Sequence, residues 1–207
     1  TTQNIQVTVN NDTLDEDDET IVITLSSPVY ATLGANTTHT YTIQDNDAAP
    51  TVQFSATSSS GSESVTAVNL AVTLSAASGK TVTVNYAATG GTATGGGTDY
   101  SISGTQLTFN PGTTSQNVPV TVVNDTLDEN DETIIVTLSG PANATLGANT
   151  THTYTIQDND AAPTVQFSAT SSSGNESATS VNLAVTLSAA SGKTVTVNYA
   201  ATGGTAT

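Results

Sequence analysis

Carboxylates are the side chains in this sequence whose types and spacing could do chemistry. Five of them fall within residues 124–132, called here the acidic loop: Asp125, Asp128, Glu129, Asp131 and Glu132. Residues 11–19, the first acidic loop, carry an earlier copy of the same motif. Crowded carboxylates repel one another unless some protonate or a cation joins them. The loop is therefore a candidate for half of a metal site.

Alternating apolar residues flank the acidic loop, with Val118, Val120 and Val122 before it and Ile134 and Val136 after it. This period of two predicts that the loop joins two antiparallel strands. Seven short segments of this kind lie between residues 50 and 160, and none has helical periodicity. The pattern predicts an all-β fold, a seven-stranded antiparallel β-sandwich of the immunoglobulin-like kind.

The chain repeats itself at a spacing of 113 residues. Residues 1–94 overlay residues 114–207 without a gap, and 81 of the 94 positions are identical. The repeat predicts tandem sandwiches. Residues 1–47 would be the C-terminal half of one module, with its last three strands. Residues 50–160 would be a complete module, and residues 163–207 the first three strands of the next. We expect the chain to be a segment of a longer array.

In a sandwich of consecutive antiparallel strands, alternate loops lie at the same pole. This rule predicts that nine carboxylates of the complete module lie at one pole: Glu63, Asp99, Asp125, Asp128, Glu129, Asp131, Glu132, Asp158 and Asp160. Ca²⁺ suits them because it takes about 6–8 oxygen ligands in flexible geometry. Zinc prefers His or Cys, whereas the chain has no Cys and its two histidines are predicted at the opposite end of a strand. Whether Asp128 and Asp131 are ligands or merely exposed stays open at this point.

Several motifs resemble the Calx-beta domain: residues 97–100 (GTDY), 107–112 (LTFNPG), the acidic loop and 155–160 (TIQDND). The resemblance covers residues 50–160 and, by repetition, both partial modules. It implies several calcium ions at one pole, but Asn124 and Asn159 stand at positions often acidic in the family, so we expect fewer ions than its richest members bind. The implied ligands are Glu63, Asp99, Asp125, the Leu127 carbonyl, Glu129, Glu132, Asp158 and Asp160, with the repeat counterparts Asp12, Glu16, Glu19, Asp45, Asp47 and Glu176.

The charge balance limits the partners. The net charge is −16, from 18 acidic residues against only Lys80 and Lys193. This disfavours nucleic acid and anionic membranes, which attract basic surfaces, and no apolar run is long enough for membrane insertion. Only 10% of residues are charged, against about 25% in ordinary soluble domains. Exposed faces of Thr, Ser and Asn favour an extracellular or cell-surface bacterial protein.

These features together predict a structural, calcium-binding repeat segment that forms a stiffened rod, fibre or adhesin stalk. The short linker at residues 160–163 brings the acidic pole of one module against the next module, near Lys193. Neighbouring modules are the expected partners, and lateral copies and glycans are further candidates. The alternatives are a calcium-sensing regulatory module and a glycan-binding adhesive array. No nucleophile-base pair or catalytic cleft is visible, so we do not expect an enzyme.

Overall fold

Strands and loops alone build the part of the chain that the computed structural model describes, residues 1–205. The all-β prediction is confirmed. Within these residues there is no helix of the length and hydropathy needed to cross a membrane.

The complete module is a sandwich of two five-stranded sheets. One sheet has the order β4-β12-β10-β6-β8 and the other β11-β3-β5-β9-β7. The strands are β3 (Thr51–Phe54), β4 (Ser58–Ser62), β5 (Ala67–Leu74), β6 (Val82–Gly91), β7 (Tyr100–Ile102), β8 (Gln106–Phe109), β9 (Ser115–Val122), β10 (Glu132–Ala142), β11 (Thr145–Leu146) and β12 (Thr151–Gln157). Before it lie β1 (Glu19–Thr24) and β2 (Thr38–Ile43), and after it β13 (Val165–Phe167) and β14 (Val185–Leu187).

The core lies between the two sheets, where the predicted alternation places it. Val118 and Val120 of β9 face inward from one sheet, and Ile134 and Val136 of β10 face inward from the other; all four are at most 2% exposed. Because β9 and β10 belong to different sheets, the acidic loop must cross from one sheet to the other at the end of the sandwich. The fold thereby fixes the loop at one pole.

Three short strands were missing from the seven-stranded prediction: β4, β7 and β11. β4 has no apolar alternation, and only its hydrogen bonds to β12 make it a strand. That pairing is parallel, with Tyr154 opposite Ser59 and Ile156 opposite Gly61. β11 also pairs in parallel, with β3. The sandwich is therefore mixed rather than wholly antiparallel.

The two partial modules keep some predicted strands and lose others. β1 and β2 pair in the same register as β10 and β12. The strand predicted at residues 5–9 is absent, and Ile5 is 64% exposed. Its counterpart β9 is held by β5 and β7, which have no equivalents in residues 1–47. The third strand predicted in residues 163–207 is absent for the same reason; residues 206 and 207 lie outside the described part.

Candidate metal site

Four chain segments bring their carboxylates to one pole of the complete module. Glu63 directly follows β4, Asp158 directly follows β12, and Asp99 directly precedes β7. Since β4 and β12 are parallel neighbours, their last residues end side by side. The Glu63 amide accordingly donates a hydrogen bond to the Gln157 carbonyl over 3.0 Å. Strand pairing, rather than proximity in sequence, sets this arrangement.

A narrow cleft at this pole is lined mainly by acidic side chains. The apolar residues Val123 and Ile156 also contribute to its wall. The carboxylates that line it are Glu63, Asp99, Asp125, Glu129, Glu132 and Asp158. Six of the seven acidic side chains that the family resemblance implies as ligands thus meet in one cleft. Whether they bind a metal stays a prediction.

The seventh, Asp160, joins Glu63 and Asp158 in a tight cluster. One carboxylate oxygen from each of the three lies within 4.8 Å of the others. Glu63 is only 6% exposed, and Glu63 Oε1 and Asp160 Oδ2 are both buried with no hydrogen-bond partner. Buried polar atoms normally have a partner. Ligand oxygens about 2.3–2.6 Å from a Ca²⁺ ion lie within about 5 Å of each other, so the cluster fits one such ion.

Hydrogen bonds within the pole hold the loops in shape. Asp125 Oδ1 accepts from the Leu127 amide over 2.7 Å, which makes a local turn at the start of the acidic loop. Asp131 Oδ1 accepts from the Asp158 amide over 3.1 Å, which ties the loop to the end of β12. Asp131 itself is exposed. Leu127 is half-buried, and its carbonyl stays a predicted ligand.

The two amides noted in the sequence contact each other at this pole. Asn159 Nδ2 donates to Asn124 Oδ1 and to Ser62 Oγ, each over 3.1 Å. An aspartate at position 159 would lose the donor of this bridge, whereas an aspartate at position 124 could still accept but would add a negative charge. The amides therefore crosslink the acidic loop to the segment after β12 without adding charge.

Burial and neighbouring negative charges raise the pKa values of several carboxyl groups at the pole. Burial, followed by the neighbouring Asp160, raises the pKa of Glu63 to about 7. Glu63 and Asp160 can hydrogen-bond only if they share a proton, since two ionised carboxylates have no donor between them. Burial, followed by Asp99, raises the pKa of Glu132 to about 7. Burial also raises the pKa of Glu129. A bound cation would offset these shifts by stabilising the ionised carboxylates.

The first acidic loop gathers an equivalent but more open cluster. Glu16 donates its amide to Asp45 Oδ2 over 3.2 Å, and Asp45 Oδ1 accepts from the Asp47 amide over 3.3 Å. Partial burial, then the charges of Asp12, Glu19, Asp45 and Asp47, raises the pKa of Glu16. Five of the predicted counterparts are thus close enough to influence one another. This half-module provides no counterpart of Glu63.

Glu176 is the predicted counterpart that the structure leaves apart. It lies in an exposed turn and is not in the three-carboxylate cluster found among residues 1–205. Glu63 is buried by β12 and by the acidic loop, and residues 163–205 contain only the equivalents of the first strands. A ligand role for Glu176 needs those later strands beside it.

Asp128 occupies a different environment from the cleft. The sequence left open whether Asp128 is a ligand or merely exposed; the structure places it outside the cleft and only 6% exposed. Its Oδ1 lies 2.6 Å from Lys193 Nζ, beyond the linker. Lys193 is the largest cause that lowers the pKa of Asp128. The sequence carried a signal of this role, since Lys193 is one of only two cations in the chain.

Comparisons with known proteins agree with the repeat. A family model described as "Calx-beta domain" matches residues 1–47, 45–160 and 158–207. No curated protein matches the sequence.

Solved structures similar to this one include CBD12 from CALX1.2, with 25% identity and a TM-score of 0.50 over 57% of this chain and 48% of that chain. The calcium binding domain CBD12 of CALX1.1 matches at 25% identity and a TM-score of 0.49, over 57% of this chain and 50% of that one. The Apo-form Calx CBD1 domain matches at 24% identity and a TM-score of 0.48, over 54% of this chain and 98% of that one. The chain thus spans about half the length of the two CBD12 structures.

Proposed function

Because the chain belongs to the Calx-beta family, we propose that it is a calcium-binding structural segment of an extracellular bacterial protein. In this proposal, each complete module binds Ca²⁺ at its acidic pole. The modules follow one another as a stiff rod, fibre or adhesin stalk, with no catalytic role.

One observation carries the calcium assignment: the buried oxygens Glu63 Oε1 and Asp160 Oδ2 have no hydrogen-bond donor when both carboxylates are ionised. They stand with Asp158 in a group whose oxygens span no more than 4.8 Å. A protein retains buried anions without donors only if something compensates their charge. The all-oxygen donor set favours a hard cation such as Ca²⁺ over zinc or copper.

The residues that would hold calcium come from every segment that reaches the pole. Glu63, Asp158 and Asp160 supply the buried cluster, and Asp125, Glu129 and Glu132 supply the rim. Asp99, anchored by a hydrogen bond from the Thr94 amide of 2.5 Å, completes the cleft. Bound calcium would supply the positive charge that lets all of these groups ionise together.

The rod and its location rest on features of the whole chain. The chain has only two cations and no cysteine, so neither disulfides nor scattered surface ion pairs strengthen it. Each lysine contacts the acidic loop of the preceding module. Calcium at that pole would therefore add stability beside the joint between modules. An exterior with millimolar calcium and no need for reduced thiols suits such a chain.

A calcium-sensing role is the second candidate. It is favoured by Lys193 Nζ, which lies 3.7 Å from Asp158 Oδ2 and thus links the joint to the calcium cluster. A sensor would change shape when calcium binds, whereas a structural rod would gain stability at nearly constant shape. The two candidates therefore differ in a measurable way.

Calorimetry and small-angle X-ray scattering of the full chain test the proposal. The chain is measured with saturating calcium and with a chelator that removes it. At a calcium concentration 100 times Kd, binding stabilises by about 2.7 kcal/mol, so the melting temperature of the complete module should rise by several degrees. An unchanged melting temperature overturns the calcium assignment. A large change in maximum dimension favours the sensor over the rod.

A further inference from the structure

The joint between modules is built around a buried aspartate. Asp15 is 5% exposed and Asp128 is 6% exposed, although both belong to acidic loops that reach solvent. Each meets a turn of the next module that has the sequence Ser-Gly-Lys. These turns are residues 78–80, beside Asp15, and residues 191–193, beside Asp128. The two joints thus repeat the same pair of elements.

Three groups of the Ser-Gly-Lys turn contact Asp128. Lys193 Nζ donates to Oδ1 over 2.6 Å, and the Gly192 amide donates to the Asp128 carbonyl over 3.0 Å. Ser191 Oγ lies 3.2 Å from both the carbonyl oxygen and Oδ2 of Asp128, and donates to this pair. The aspartate is therefore satisfied by the next module and not by its own.

The first joint reproduces this geometry almost atom for atom. Lys80 Nζ donates to Asp15 Oδ1 over 2.9 Å, and the Gly79 amide donates to the Asp15 carbonyl over 2.9 Å. Ser78 Oγ lies 3.1 Å from Asp15 Oδ2. Every lysine in the chain is used in this way. Two copies of one arrangement, each using a scarce residue, indicate a built interface.

A side chain on the middle residue of the turn would have to displace a glutamate of the acidic loop. A Cβ on Gly192 would lie 2.7 Å from both Cγ and Oε1 of Glu129, and one on Gly79 would lie 2.7 Å from Glu16 Cγ. Neither glycine has a positive φ, so close approach to the glutamate, and not backbone conformation, disfavours a side chain here. The glutamate of the acidic loop therefore packs directly over the turn.

We propose that Asp128 and Glu129 form a socket that recognises the Ser-Gly-Lys turn of the following module and fixes the angle between modules without calcium. The first socket is formed by Asp15 and Glu16. The partner is a module of the same kind, selected by its lysine, its serine hydroxyl and its glycine. All the contacts that build the joint are made by protein groups, so this inference does not rest on the calcium assignment.

Distance measurement between two spin labels tests the inference in the full chain. Because the chain has no cysteine, Asn117→Cys on β9 and Thr186→Cys on β14, both exposed, give two unique labelling sites. The socket predicts a narrow distance distribution in the presence of a calcium chelator. A distribution that is broad in chelator and narrow only with calcium overturns the inference.

Paired variants identify the groups responsible. Asp128→Ala and Lys193→Met should each broaden the distribution, and amide exchange at Gly192 should accelerate by about tenfold or more. Asp131 contacts no part of the next module, so Asp131→Asn, which removes an equal charge from the same loop and keeps the oxygen that accepts from the Asp158 amide, should leave the joint narrow. Gly192→Ala should loosen the joint, whereas Gly174→Ala, which meets nothing within 4 Å, should not.

The outcomes separate this inference from the proposed function. Binding of calcium alone is measured in parallel by titration calorimetry. A narrow joint in chelator together with no calcium binding would leave the socket standing and remove the calcium site. If Asp128→Ala and Lys193→Met both keep the wild-type distance and width, the socket is wrong whatever calcium does.

Discussion

At the scale of single residues, Glu63 has an unfavourable environment for a negative charge. It is almost fully buried, its Oε1 has no donor, and Asp158 and Asp160 stand beside it. Burial raises its pKa to about 7. Such a group destabilises the fold unless it is protonated or neutralised. A bound cation that neutralises its charge would explain why a glutamate stands at this buried position.

Replacing Glu63 by Gln should therefore have opposite effects on stability and on calcium binding. The amide keeps the shape of the side chain and removes a buried charge. We expect the calcium-free protein to gain about 1–2 kcal/mol and calcium affinity to fall by about tenfold or more. Chemical unfolding in chelator and calorimetric calcium titration measure the two effects. Equal affinity in both proteins would exclude Glu63 as a ligand.

The raised pKa values predict how stability depends on pH. Glu63 and Glu132 have pKa values near 7 in the folded protein, against an ordinary 4.5. Their contribution to stability is fully present below about pH 4.5 and is lost as the pH rises through about 7. In chelator, the contribution of these two groups should thus make the melting temperature higher at pH 5 than at pH 8.

Calcium should reverse this dependence, because the ion binds the ionised carboxylates. The gap in melting temperature between calcium and chelator should widen from pH 5 to pH 8, and binding near pH 7 should release protons. Calorimetry in two buffers of different ionisation enthalpy detects that release. A gap independent of pH would show that these carboxyls do not bind the ion.

Sequence reasoning located the carboxylates of the site but could not assign their burial. The strand parity that placed Glu63, Asp99 and Asp158 at one pole needs only the order of strands. The burial of Glu63 depends on β4 lying parallel to β12, which nothing in the serine-rich segment 58–62 reveals. The burial of Asp128 depends on its contact with Lys193, which lies 65 residues further along the sequence. Long-range contacts of this kind leave only an indirect trace in the sequence.

At the scale of elements, His152 joins β12 to the segment between β3 and β4. Its Nδ1 lies 2.7 Å from the Ala56 carbonyl and donates to it, so Nε2 accepts from Ser59 Oγ over 2.7 Å. The ring also packs against Phe54, with ring centroids 5.5 Å apart. His152 thus secures β4, whose end carries Glu63. The sequence predicted its place at the end of the strand away from the carboxylates, and the structure shows it buried.

Substituting His152 by Ala should destabilise the complete module by about 2–4 kcal/mol, because it opens a cavity and leaves the Ala56 carbonyl without its donor. His39 occupies the same position of the repeat but is exposed, so His39→Ala is a matched control with little expected effect. Urea unfolding of the full chain compares the two. Similar losses in both variants would contradict the role given to His152.

The strands with clear alternation were predictable, and those held only by hydrogen bonds were not. Val68, Leu70 and Val72 mark β5 because one face of it is buried. The sequence at residues 5–9 alternates just as well, yet it forms no strand without a neighbour to pair with. Alternation therefore reports which face a strand would bury, and pairing partners decide whether the strand forms.

At the scale of the whole molecule, charge is concentrated where modules meet. Sheet faces carry Thr, Ser, Asn and Ala, while carboxylates and both lysines lie at the poles and joints. A chain built this way gains little from surface ion pairs. Its cohesion depends on the core of each module, on the socket at each joint and, in our proposal, on calcium at the adjacent pole.

The central claim is that carboxylates from distant parts of the chain share a calcium ion. Anomalous diffraction from crystals of the full chain grown with calcium tests it most directly. The account predicts a strong anomalous peak between Glu63, Asp158 and Asp160 of the complete module. A well-ordered structure with no peak there, or with peaks only beside exposed carboxylates such as Asp131, would contradict it.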